Sequence, residues 1–201
     1  MKILPLLFKF KENNNMAYKM SSYVLGDPNK CTGCKACELA CFAEHNRKSN
    51  DVGYTVGTVT VQVTPKLYLT KTKAYCMPVQ CKHCEDAACI NACKKHAIYR
   101  DENNQVIVDE SKCIGCKDCV MACPFGAIAI LPYSQKGAPV LQKDREVVKV
   151  ASKCDLCSGI EGGPACVRVC PNDALHLVNM EEEQLNKSIA TAQSLYDSRL
   201  S

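Results

Sequence analysis

Sixteen of the seventeen cysteines stand in four runs: Cys31, Cys34, Cys37 and Cys41; Cys81, Cys84, Cys89 and Cys93; Cys113, Cys116, Cys119 and Cys123; Cys154, Cys157, Cys166 and Cys170. The third run, CIGCKDCVMACP, has a spacing in which three thiolates hold one cubane 4Fe–4S cluster while the fourth reaches a neighbouring one. Such a run needs a partner. The second run, CKHCEDAACINAC, lies just upstream, and the residues between them read as a strand (97–99), a turn (101–104) and a return strand (105–108), enough to fold one run against the other. Cys81, Cys84, Cys89 and Cys123 are therefore read as the ligands of one cluster, and Cys113, Cys116, Cys119 and Cys93 as those of its neighbour. By the same exchange of the last cysteine, Cys31, Cys34 and Cys37 take Cys170, and Cys154, Cys157 and Cys166 take Cys41. Sequential pairing, first run with second and third with fourth, is the alternative; nesting is favoured because Cys-Pro ends only the third and fourth runs. The fourth run taken alone would also suit structural zinc, but its company points to a cubane. The cofactor expectation is four 4Fe–4S clusters, with all sixteen cysteines as metal ligands and no catalytic residue.

Composition bounds the rest. Seventeen cysteines in 201 residues imply either a disulfide scaffold or metal sites. The N-terminal ILPLLF stretch is too short for a secretory core, and no apolar run approaches the roughly 18 residues of a membrane span. A cytoplasmic chain keeps its thiols reduced, which favours metal. The formal charge of +4 would invite a nucleic-acid partner, but it counts every thiol as neutral. Four cubanes on deprotonated ligands change the balance by roughly −8, which leaves the loaded protein at about −4. Lys35, Lys82, Lys94, Lys112, Lys117 and Lys153 sit beside cysteines, where positive charge favours cluster reduction; ordinary solvated lysines are the alternative. Aromatic base-stacking platforms are missing, and no C-x3-C-x2-C run of a radical enzyme occurs.

The elements that must position these thiols follow. Residues 1–22 form an N-terminal arm without periodicity. A short helix over 36–46 leaves the first run, with His45 near its end in a surface or helix-terminal role rather than as a ligand. VGTVTVQVTP and KLYLTKTKAY read as two strands of a hairpin within 50–75 that covers the first cluster pair. Cys76 belongs to no run and reads as a buried free thiol. PFGAIAILP supplies a strand, 132–139 a turn-rich connection, and REVVKVASK a strand into the fourth run. The tail, 179–201, is an amphipathic helix with Asn179 as its N-cap and Glu181, Glu182 and Glu183 in its first turn. It either packs back on its own domain or docks a partner subunit or second copy. The fold class is α+β: a double ferredoxin-like domain over 23–178, with an inner unit (81–123) inserted into an outer one (23–80 plus 124–178), and a C-terminal helix.

With these residues laid out, the chain resembles the four-cluster electron-transfer subunits of hydrogenase, formate dehydrogenase, carbon monoxide dehydrogenase and dimethyl sulfoxide reductase systems. CKHCEDAAC in the second run and KCDLC…GGPAC…CP in the fourth carry the likeness, which covers about residues 23–178. It is most similar to the small members that accompany hydrogenases and formate dehydrogenases, including those of hydrogen-dependent carbon dioxide reductase. Ala88 and Lys94 stand where the family commonly has proline. The resemblance implies four 4Fe–4S clusters in nested pairing, single-electron relay between catalytic redox subunits such as hydrogenase and formate dehydrogenase, and no turnover by the chain alone. A freely diffusing polyferredoxin serving several enzymes is the alternative function.

Overall fold

The computed structural model describes residues 19–47, 64–135, 138–142 and 144–199. Among the described residues, five short antiparallel ribbons and five helices make a mixed helix–strand fold. β1 (Ser22–Gly26) pairs with β10 (Leu175–Asn179), so the strand before the first cysteine run lies against the strand after the fourth. β4 (Ile98–Arg100) pairs with β5 (Val106–Val108), and β6 (Ala129–Pro132) with β9 (Lys149–Ser152). β7 (Ser134–Gln135) and β8 (Ala138–Pro139) close a small hairpin inside that last connection.

Four of the helices carry the third cysteine of a run; the first also carries the fourth, which in the other three stands just past the helix end. They are α1 (Ala36–Arg47), α2 (Ala88–Asn91), α3 (Asp118–Ala122) and α4 (Ala165–Val169). The third and fourth cysteines of each run stand four residues apart, so about one helical turn separates them, roughly 6 Å along the axis. That displacement lets one helix serve two neighbouring cavities. α1 packs on α4 and α2 on α3. Two apolar cores result: one holds Val24, Leu67, Leu156 and Leu175 with Cys37, Cys41, Cys81, Cys154 and Cys166; the other holds Ala87, Ile98, Val106, Cys119, Ile128 and Ala151. Cys81 thus packs among residues of the first and fourth runs, and Ala151 among those of the second and third.

The hairpin expected within 50–75 is different here. Its first strand lies mostly outside the described residues. Its second, β2 (Tyr68–Lys71), pairs with β3 (Cys76–Val79), because Thr72 turns the chain early: its hydroxyl accepts from the amides of Ala74 and Tyr75 at 3.3 and 3.1 Å. Cys76 is only half-buried.

α5 (Met180–Asp197) starts as its capping residues dictate, with Asn179 Oδ1 accepting from the amides of Glu181 and Glu182 at 3.1 and 3.5 Å. Only its first turns touch the domain: Glu181 Oε1 accepts from Met20 N at 2.8 Å, and Met180, Glu181 and Leu185 are half-buried. None of its residues is buried, and Ile189, Leu195 and Tyr196 are exposed.

Candidate metal centres

Three cavities collect the thiols of different runs. Cys31, Cys34 and Cys37 line the first together with Cys170. Cys113, Cys116 and Cys119 line the second together with Cys93, and Cys81, Cys84 and Cys89 line the third together with Cys123. Cys154, Cys157 and Cys166 are buried, and the thiol of Cys41 lies within electrostatic range of all three. Among the described residues no three His, Cys, Asp or Glu side chains converge tightly enough for a single metal ion.

The loops that present these thiols are wound through left-handed conformations. Gly115, at φ +69, lies so close to β9 that a Cβ there would run into the Lys149 carbonyl. Gly33, at φ +76, sits under β3, where a Cβ would come 3.1 Å from the Cys76 sulfur. Non-glycine residues take the same conformation at Lys35, His83, Lys117, Leu156 and Cys157. Such winding turns amides toward sulfur. Lys66 N donates to Cys41 Sγ at 3.3 Å, His83 N to Cys81 at 3.4 Å, Ala97 N to Cys93 at 3.3 Å, Ala151 N to Cys113 at 3.3 Å, Leu156 N to Cys154 at 3.4 Å, and Ala174 N to Cys170 at 3.2 Å.

Crowded, buried thiols resist ionisation by themselves. Burial first, and neighbouring thiols after it, push Cys119 up to about 11 and Cys166 to about 12; burial likewise pushes Cys37 up to about 11, and Cys154 higher still. A positively charged core is what draws such thiols into the thiolate form. Together with the amides aimed at sulfur, this donor set fits iron–sulfur clusters. A further sign is His83, fully buried, whose Nδ1 accepts from Val106 N at 3.0 Å. Its proton therefore sits on Nε2, which has no partner in the protein. Burial, and then the charge of Lys153, push His83 down to about 3 and keep it neutral.

His45 is a cation near the end of α1, one of the two roles expected of it, but it does not stand at the surface. Its side chain is only 16 % exposed; Nδ1 lies 2.7 Å from the Cys41 carbonyl and Nε2 2.9 Å from Asp155. Lys66 Nζ reaches the same carboxylate at 2.9 Å, and Cys157 N donates to it at 3.0 Å. Burial alone would lower His45; the bonds to Asp155 and Cys41 and the Asp155 charge outweigh it and hold His45 up to about 10. Asp155, which burial would raise, is held well below the ordinary carboxylate range by His45 and Lys66. This node ties the end of the first run to the start of the fourth. Sequence reasoning missed Asp155 and Lys66, since single polar residues near cysteines carry no periodic or spacing signal.

Residues 72–180 match the 4Fe-4S dicluster domain family, more than half of the chain, and residues 28–41 match a 4Fe-4S binding domain. This chain belongs to the 4Fe–4S dicluster electron-transport proteins. Its seventeen cysteines fit four 4Fe–4S clusters. The electron transport protein HydN of Escherichia coli (strain K12) is 36% identical over 83% of this chain and 94% of its own length. Hydrogenase-4 component A of the same organism is 37% identical over 82% of this chain and 86% of its own length. The thiosulfate reductase electron transfer subunit PhsB of Salmonella typhi is 36% identical over 86% of this chain and 83% of its own length. Among the described residues of this dicluster protein no helix is long and apolar enough to cross a membrane.

Proposed function

We propose that this chain is an electron-transfer subunit that relays single electrons through four 4Fe–4S clusters between the catalytic subunits of a cytoplasmic oxidoreductase complex, a hydrogenase and a formate dehydrogenase. The observation that carries the reading is the mixing of runs: three cavities each join three thiols of one run to the last thiol of another. On that basis the ligand sets are Cys31, Cys34, Cys37 and Cys170; Cys154, Cys157, Cys166 and Cys41; Cys81, Cys84, Cys89 and Cys123; and Cys113, Cys116, Cys119 and Cys93. The pairing of β1 with β10 and the packing of α1 on α4 support nesting of the inner unit in the outer one.

Each cluster supplies one-electron chemistry with little reorganisation when bound. The chain's own contribution is position, hydration and hydrogen bonding to sulfur. The exposed thiols, Cys34 and Cys116, belong to two different sets, which supports reading those sets as the ends of the relay. Cys81 and Cys154, from the remaining two, share one apolar core, which also holds Cys37; with both exposed thiols in the other sets, this supports reading the sets of Cys81 and Cys154 as the middle. The six amide-to-sulfur bonds favour negative charge on the ligands, and the apolar cores keep water away. No side chain is assigned to bond making or breaking in a substrate, so the cluster-loaded chain alone should turn over neither hydrogen, formate nor carbon monoxide.

The test is iron and sulfide analysis with low-temperature electron paramagnetic resonance on the reconstituted chain and on Cys170→Ser. The full chain should hold four cubanes, and the variant should lose the one shared with Cys31, Cys34 and Cys37. Fewer than four in the full chain, or loss of the Cys154 cluster instead, rejects the assignment.

A further inference from the structure

Of the six lysines that the sequence sets beside cysteines, only Lys153 is buried, 3 % exposed. Its ammonium donates to the Val106 carbonyl and, at 2.8 Å, to the Cys154 carbonyl. Among the described residues no carboxylate pairs with it; the neighbouring Asp155 is taken by His45 and Lys66. Carbonyl dipoles solvate a cation only in part, and an ammonium removed from water without an opposite charge is among the costliest groups to bury. Some negative charge that the side chains do not supply must therefore face it. Its two anchors say which. Val106 lines the cavity of Cys81, Cys84, Cys89 and Cys123, and Cys154 opens the ligand set of the fourth run. The charge of Lys153 also favours the thiolate of Cys89. Further cations lie near: Lys82, half-buried, held by the Val24 carbonyl at 2.8 Å and the Tyr23 ring at 5.0 Å and within electrostatic range of Cys154 and Cys81, and Arg100, only partly buried, whose guanidinium donates to the Cys84 and Glu85 carbonyls; both keep contact with solvent, which screens them. His83, bonded to the same Val106 peptide, is neutral.

We propose that Lys153 is the fixed counter-charge of the two middle clusters, the one held by Cys81, Cys84, Cys89 and Cys123 and the one held by Cys154, Cys157, Cys166 and Cys41, and that it stabilises their reduced states relative to the two end clusters. The inference rests on the four-cluster relay reading. An electron on a cluster adds one negative charge, so a buried positive charge in reach of both middle clusters favours its arrival there, and the centre of the relay becomes where an electron rests. The end clusters, whose sets include the exposed Cys34 and Cys116, lie toward water, which screens this charge.

The experiment is a redox titration, followed by electron paramagnetic resonance, of the full cluster-loaded chain and of K153M, K153R and K82M, with the signals assigned through C123S, C166S, C170S and C93S. In K153M the ratio of reduced to oxidised middle clusters at the wild-type midpoint should fall about tenfold, as expected for loss of one unit charge about 12 Å from the added electron in a medium of effective dielectric about 20; for a one-electron couple that is about 59 mV. The end clusters should move less than about twofold, K153R should stay near wild type, and K82M should shift less than K153M because water screens Lys82. Unmoved middle clusters in a K153M that retains four cubanes, or an equal shift of all four, overturns the proposal. If K153M does not load fully, K153Q carries the comparison. Loss of only the middle clusters in both neutral variants, with K153R intact, supports the counter-charge; indiscriminate loss, or the same loss in K153R, overturns it. A wild-type chain with fewer than four cubanes instead refutes the relay reading itself.

Discussion

Asp155 offers the sharpest test of how the first and fourth runs are held together. Its carboxylate accepts from His45 Nε2 at 2.9 Å, Lys66 Nζ at 2.9 Å and Cys157 N at 3.0 Å, and the three charged side chains are only 16 to 23 % exposed. Asp155→Ala leaves an imidazolium and an ammonium facing each other in a largely dry site. Breaking a buried pair by removing one partner costs about 3 kcal/mol or more, roughly a hundredfold in an equilibrium. His45 also holds the Cys41 carbonyl, and the Lys66 amide donates to the Cys41 sulfur, so the damage should fall on the set that joins Cys41 to Cys154, Cys157 and Cys166. Anaerobic bleaching of the visible absorbance in moderate guanidinium, with iron release followed in parallel, measures it. One cluster in four should be lost at least about tenfold faster than in the unaltered chain. Asp155→Asn, which keeps an acceptor but no charge, should fall between. Adding Lys66→Met to Asp155→Ala should recover part of the loss, because the orphaned ammonium is gone. Bleaching of Asp155→Ala within about twofold of wild type, or acceleration spread evenly over all clusters, would refute the reasoning.

Gly115→Ala should lower occupancy of the Cys113, Cys116, Cys119 and Cys93 cluster, since the new methyl meets the Lys149 carbonyl at a φ of +69; iron per chain after reconstitution reads it. Asn179→Ala removes the cap of α5 and should cost that helix about 1 kcal/mol, seen as lost helical circular dichroism with cluster content unchanged. Deleting residues 180–201 should likewise leave four clusters in place, because α5 buries no residue; a smaller assembly on size exclusion would identify the helix as a docking element, and an unchanged size would remove that role. Val106→Ala, at a site 1 % exposed, should destabilise the inner core by about 2 kcal/mol, measured as faster iron release in denaturant.

The sequence by itself determined the cofactor class and the short elements around it. Thiol spacing is a local property, set by what one turn of loop and one turn of helix can wrap, so the four runs, the strands near 97–108 and 129–132, and the cap at Asn179 were legible from residues alone. The separation by four of the last two cysteines in each run likewise follows from helical geometry. Contacts between distant residues were not legible. That β2 turns back on β3 depended on Thr72 closing a turn, that α5 lies uncovered depended on what the rest of the fold leaves facing it, and that Asp155 gathers His45 and Lys66 depended on runs far apart in the chain meeting. Lys153 is the clearest case: in the sequence it is one of six similar lysines, and only the packing of β9 against Val106 shuts water out around it. Charge is written in the residue, but its strength is set by the surroundings, and those exist only once the chain has folded.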